Sequence, residues 1–164
     1  MIKKTLILFG CLMLGGCDYT VSLVTKPETP IDNAVVGLWQ STKADNQNER
    51  LLVLPLSRNE YLVSFPAGAK DPLFARACPC RAAGKKMVQL QWIGTGEGNP
   101  PQTNRVYQFV AYEAAADKLS VRLLNKEVVN QHAVSTAELA GDIEANKDNP
   151  ELFGEETVFD RVKQ

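Results

Sequence analysis

The chain has 164 residues, with 18 basic and 19 acidic side chains and a formal net charge of −1. That balance argues against nucleic acid as a partner, which recruits clustered positive charge. The length suits a single domain with a core of its own.

The first stretch, MIKKT, carries two lysines, and LILFGCLMLGG after it carries no charge. Residues 5–16 are too short for a membrane span, which takes roughly 20 apolar residues in a helix. A charged start, an apolar middle and small residues before a cut site form the pattern of a secretory signal peptide, here residues 1–16. Leu14-Gly15-Gly16-Cys17 resembles the lipobox of bacterial lipoproteins. The resemblance implies a processed chain that starts at Cys17 and carries acyl groups such as palmitate on its sulfur and its new amino group. The domain would then face the periplasm, held to the cell envelope by lipid. Asp18 resembles the signal that keeps lipoproteins of enteric bacteria at the inner membrane, with the outer membrane as the alternative. On this reading Cys11 leaves with the leader, Cys17 is blocked, and only Cys78 and Cys80 remain as side-chain thiols.

Residues 17–34 mix threonine, charge and two prolines without periodicity and read as lipid anchor and flexible tether. A tether of this length has a typical reach of about 20–25 Å. Residues 35–164 read as one β-rich domain. Residues 35–40 (VVGLWQ), 50–56 (RLLVLPL) and 60–65 (EYLVSF) are short, rich in branched and aromatic residues and separated by polar breakers, so each is expected to be a strand. Pro55 lacks a ladder donor, which predicts an edge or a bulge there. Residues 86–93 alternate, with Val88, Leu90 and Trp92 on one face and Met87, Gln89 and Gln91 on the other. Strands over 105–113 and 118–124 follow, the alternation predicting an antiparallel sheet with one wet face.

The period changes at residues 135–147, where Leu139 and Ile143 stand four apart and Ser135 with Glu138 matches a capping box. This predicts a helix of about three turns. Asn149-Pro150 suits the start of a second short turn, and residues 156–162 return to strand. The fold class expected is mainly β: an antiparallel up-and-down sheet or a lipocalin-like barrel of seven to eight short strands, with one or two short helices before the last strand.

Gly37-Leu38-Trp39 resembles the Gly-x-Trp motif with which lipocalins and other calycins begin their barrels. The resemblance implies a late basic residue over the tryptophan, and Arg161 matches, making a structural cation–π pair with Trp39. The segments VVGLWQ, LLVLPLSRNEYLVSFP, VQLQWIGTGEG, LSVRLLNKEVV and NKDNPELFGEETVF resemble a family of small bacterial lipoproteins, most of them without an assigned activity. The lipocalin pattern breaks at LFARACPCRAA, residues 73–83, which does not read as an ordinary strand.

Candidate chemistry is sparse. Cys78-Pro79-Cys80 places two sulfurs on one side of an extended chain. They are candidates for a strained or redox-active disulfide, for soft ligands to copper(I) or zinc, or for separately buried thiols. The glycine-rich residues 94–101 are followed by prolines and a strand, whereas a phosphate cradle needs a helix. His132 and Ser135 are a formal base and nucleophile, but Ser135 already serves as a helix cap. Asp142 with Glu144, and Glu155 with Glu156, read as solvated charge. Tyr61, Phe65, Trp92, Tyr107 and Phe109 are candidate pocket or core aromatics. Neither a cofactor nor a catalytic group is expected. The leading functional expectation is a lipid-anchored, non-enzymatic interaction or accessory module of the envelope with a protein partner. The alternative is a calycin-like binding protein for a small apolar ligand, and the third reading is thiol or metal chemistry at Cys78 and Cys80.

Overall fold

In a computed structural model, residues 18–43 and 49–163 are described. The leader and Cys17 lie outside these residues. Eight antiparallel strands form one closed barrel in simple sequence order. They are β1 (Gly37–Ser41), β2 (Arg50–Pro55), β3 (Tyr61–Phe65), β4 (Leu73–Ala82), β5 (Lys85–Thr95), β6 (Tyr107–Ala115), β7 (Lys118–Leu123) and β8 (Thr157–Arg161). Pairing of Trp39 with Arg161 and of Ser41 with Phe159 closes β1 onto β8, so no sheet edge is left open along that seam. One helix, α1 (Thr136–Ala145), precedes the last strand. The second turn expected at Asn149-Pro150 forms, with Leu152 N donating to Asn149 O at 3.1 Å, but it is not helical.

The strand order gives the barrel two unlike ends. At one end tight turns join β2 to β3, β4 to β5 and β6 to β7. Ala83 (φ 48°) and Gly84 (φ 70°) make the two-residue β4–β5 turn, a conformation suited to the twist of paired strands. At the other end the connections are longer: residues 66–72, 96–106 and 124–156. Side chains that alternate inward, among them Val53, Val63, Ala75 and Val121, form the inner core with Trp39 and Phe159.

The strand that escaped the sequence pattern is β4. It pairs over its whole length with β5, from Leu73 opposite Thr95 to Ala82 opposite Lys85. Period-2 alternation is missing because both faces are covered: Ala75, Ala77 and Pro79 face inward and Cys78 and Cys80 outward, all buried. Pro79 is tolerated because β3 pairs only as far as Tyr61 opposite Ala77. Beyond that point β4 has no β3 neighbour to receive the missing donor. Pro55 likewise ends β2, past the last pairing of β1 at Gly37 opposite Val53.

The outer face is not wet over β4, β5 and β6. Helix α1 lays Leu139 and Ile143 on Cys80, Met87 and Phe109, forming a second core outside the barrel. Ser135 caps the helix, its Oγ accepting from Glu138 N at 3.1 Å, while the Glu138 carboxylate accepts from Val134 N at 2.9 Å. The rest of this layer is the segment expected to be a flexible tether. Tyr19 is 1% exposed and exchanges backbone hydrogen bonds with Tyr107 at 3.2 and 3.1 Å. Its ring meets Phe109 edge-on at 5.3 Å. Ser22 O accepts from Thr136 Oγ1 at 2.6 Å, and Asp32 N donates to Tyr61 Oη at 2.6 Å. Residues 18–36 are therefore a strap seated along the barrel. It starts at the long-loop end beside Tyr107, the first residue of β6, and finishes at the tight-turn end.

Candidate functional site

The tight-turn end is plugged. A single 3-10 turn, Asn33–Val35, drops Val35 into the barrel below Trp39. Trp39 is fully buried and its Nε1 donates to Val35 O at 2.9 Å. The Arg161 guanidinium lies 4.1 Å over the indole ring, while Nη1 and Nη2 donate to Val36 O and Ala34 O, each at 2.7 Å. Gly37 has φ +144°, and a Cβ there would stand 2.7 Å from Arg161 Nη1. Glycine is thus required both by the backbone and by the guanidinium seated against it. Trp39 and Arg161 meet as the calycin resemblance implies, and they act as a structural lid.

Above this plug the interior holds a cavity of about 100 Å³. Val53, Val63, Val110 and Val121 line its sides, with Leu90 and Leu119, and its aromatic walls are Tyr61, Phe65, Trp92 and Tyr112. Of the five aromatics proposed from sequence, Tyr61, Phe65 and Trp92 line this space. Tyr107 and Phe109 point the other way, under the strap and helix α1. Half-buried inward residues run from Val88, Leu90 and Val110 in mid-barrel to Leu51, Trp92 and Leu123 at the long-loop end, whereas Val35 and Trp39 close the tight-turn end, so the cavity opens toward the long loops. Among the described residues no charged side chain lines it. Tyr61 turns its hydroxyl to Asp32 at the plugged end, where it donates to Asp32 O at 3.3 Å. Gln108, from β6, is another polar wall residue; its Oε1 accepts from Trp92 Nε1 at 3.0 Å.

Cys78 and Cys80 sit on the outer face of β4 as free, buried thiols. Gln89 Nε2 approaches Cys78 Sγ at 3.8 Å. Burial pushes Cys78 up to about 11, with the Glu60 carboxylate adding to it. Burial, then the neighbouring Cys78, pushes Cys80 up to about 12. Among the described residues no group of three or more metal-ligating side chains forms. The reactive species is the thiolate, at pH 8 about one part in a thousand of Cys78 and less of Cys80. Iodoacetamide at pH 8 is therefore expected to leave both thiols intact in the folded protein and to modify both in urea; rapid alkylation of the native state would contradict this. The folded state holds these protons more tightly than the unfolded chain, so its stability is intact below pH 9 and falls as pH rises toward 12.

The remaining sequence candidates are structural. His132 Nδ1 faces Arg105 Nη2 at 3.1 Å, while Ser135 is engaged as the helix cap, so they form no base–nucleophile pair. Asp142 accepts from Asn130 N at 2.6 Å, and Glu144 pairs with Lys147 at 2.8 Å. Glu156 accepts from Ser120 Oγ, and Glu155 is exposed. Gly94 and Thr95 end β5 and residues 96–101 open its connection to β6, with no helix at their end.

One side chain that sequence reasoning assigned to a wet face organises the outer layer. Gln89 is 6% exposed; its Oε1 accepts from Leu23 N at 2.7 Å and Val24 N at 2.9 Å, and its Nε2 donates to Val24 O at 2.9 Å. The amide stands in for a rung of β-ladder and pins the strap. Nothing local marks it, because a glutamine in an alternating strand reads equally well as solvent-facing. Comparison with family models, curated proteins and solved structures finds no match.

Proposed function

We propose that this chain is a lipid-anchored envelope protein whose barrel binds a small apolar ligand without transforming it. The carrying observation is the cavity: about 100 Å³, walled by aliphatic and aromatic groups, plugged at one end and open at the other. An apolar cavity of about 150 Å³ can take up benzene; this one, at about 100 Å³, suits a few carbons of a chain, with the remainder leaving through the mouth. The cavity favours ligand binding over the accessory reading, which rested on the anchor and on missing catalytic groups. Buried thiols with raised pKa values support a packing role for Cys78 and Cys80.

The lipobox resemblance supports the anchor, and the seating of the strap gives it a consequence. A lipid on Cys17 would be separated from the seated Tyr19 by Asp18 alone, whose carboxylate lies 3.4 Å from Lys126 Nζ. The barrel would then hang close to the bilayer with its mouth end toward the lipid, where apolar molecules concentrate. Native mass spectrometry of the protein taken from its own membranes should reveal a small bound molecule, lost in Val110→Phe, which fills the cavity. Equal occupancy in both proteins, or none in either, would count against the proposal.

A further inference from the structure

We infer that the ligand is an uncharged molecule with an apolar body and one hydrogen-bond acceptor, read by the side-chain amide of Gln108 at the mouth of the barrel. This rests on the barrel being a binding site. The indole N–H of Trp92 can only donate, so the Gln108 atom it meets must be the carbonyl oxygen. That fixes the orientation of the amide and leaves its NH₂ group on the other branch. Gln108 is only 6% exposed and lines the cavity, and its side chain makes no other hydrogen bond among the described residues.

Among the described residues no protein acceptor meets that NH₂ group, so an acceptor on a ligand that displaces water from the cavity would satisfy it on arrival. Two other polar groups on the wall are already committed: Tyr61 to Asp32, and Trp92 to Gln108 itself. At the mouth the free donor is the Gln108 NH₂ group, and what it calls for is an acceptor. Position sets where on the ligand that acceptor lies. Gln108 is the second residue of β6, at the mouth end, with the aliphatic cavity running inward from it. The acceptor belongs at the outer end of an apolar body, as in a ketone, ester, amide or alcohol. A carboxylate is disfavoured because no cation among the described residues lines the wall to offset its desolvation.

The probes are hexane, 2-hexanone and hexanoate, titrated into the purified protein and followed by NMR. In the wild type, 2-hexanone should shift the Gln108 side-chain NH₂ resonances downfield, and hexane should not. Gln108→Met should weaken 2-hexanone about three- to tenfold, the loss of one neutral hydrogen bond, and leave hexane binding unchanged or tighter. Hexane serves as the fold control in that variant. If the variant does not fold, the wild-type amide resonances decide alone. An unmoved amide, or equal loss of both probes in a folded variant, overturns the acceptor while the cavity reading stands. Hexanoate binding as tightly as 2-hexanone overturns the restriction to uncharged ligands. Failure of both hexane and 2-hexanone to bind the wild type removes the binding site itself.

Discussion

Replacing Trp39 by alanine is expected to cost about 3–5 kcal/mol in urea unfolding, the range for removing a fully buried aromatic. Trp39 is fully buried, and its removal also strips the acceptor Val35 O of its indole donor and the Arg161 guanidinium of the surface beneath it. Arg161→Ala should cost less, about 2 kcal/mol, because the side chain is partly solvated and water can reach the Val36 and Ala34 carbonyls it leaves. Stacking at 4.1 Å predicts that the two substitutions are not additive, with a coupling of about 0.5–2 kcal/mol. Additive effects, or a Trp39→Ala loss below about 1 kcal/mol, would mean that this end of the barrel is not held as described.

The second large effect belongs to Gln89. Gln89→Leu keeps the volume but leaves Leu23 N, Val24 N and Val24 O without their partner. An unsatisfied buried group costs about 1–3 kcal/mol, but the strap escapes part of that by detaching into water. The expected outcome is therefore local opening. Hydrogen exchange at Leu23 and Val24 should accelerate about 30- to 100-fold, equivalent to about 2–3 kcal/mol, with barrel amides such as Val63 and Val121 unchanged. Uniform acceleration across the barrel would instead make the strap part of the global folding unit. With the lipid anchor proposed at Cys17, the variant would turn a short, seated attachment into a long leash.

How much of this could be read from sequence depended on whether a residue's environment is set by its neighbours in the chain. Strand β5 was legible because Val88, Leu90 and Trp92 face the barrel interior and alternate with residues of different character. Helix α1 was legible from Leu139, Ile143 and the Ser135 cap. The pairing of Trp39 with Arg161 came from a resemblance, since 122 positions of sequence separation carry no local signal. Strand β4 was missed because the strap and helix bury its outer face, which removes the polar half of the alternation. The strap was taken for a tether because its fixing groups are backbone amides, and these are the same in every sequence. Its anchoring side chain, Gln89, lies 66 positions from Leu23. The cavity was illegible for a related reason: the residues that line it are the same valines, leucines and aromatics that would fill it, and only their arrangement decides between the two. Gln108 became visible as a ligand-reading group only once Trp92 was found to occupy its carbonyl.

The central claim is that the barrel interior receives an apolar molecule, and titration of hexane into methyl-labelled protein tests it most directly. The structure predicts saturable shifts at Val53, Val63, Leu90, Val110 and Val121, which face the cavity, with the methyls of Val129, Leu139 and Ile143 in the outer core unmoved. No shift at saturating hexane, or shifts confined to the outer core, would contradict it.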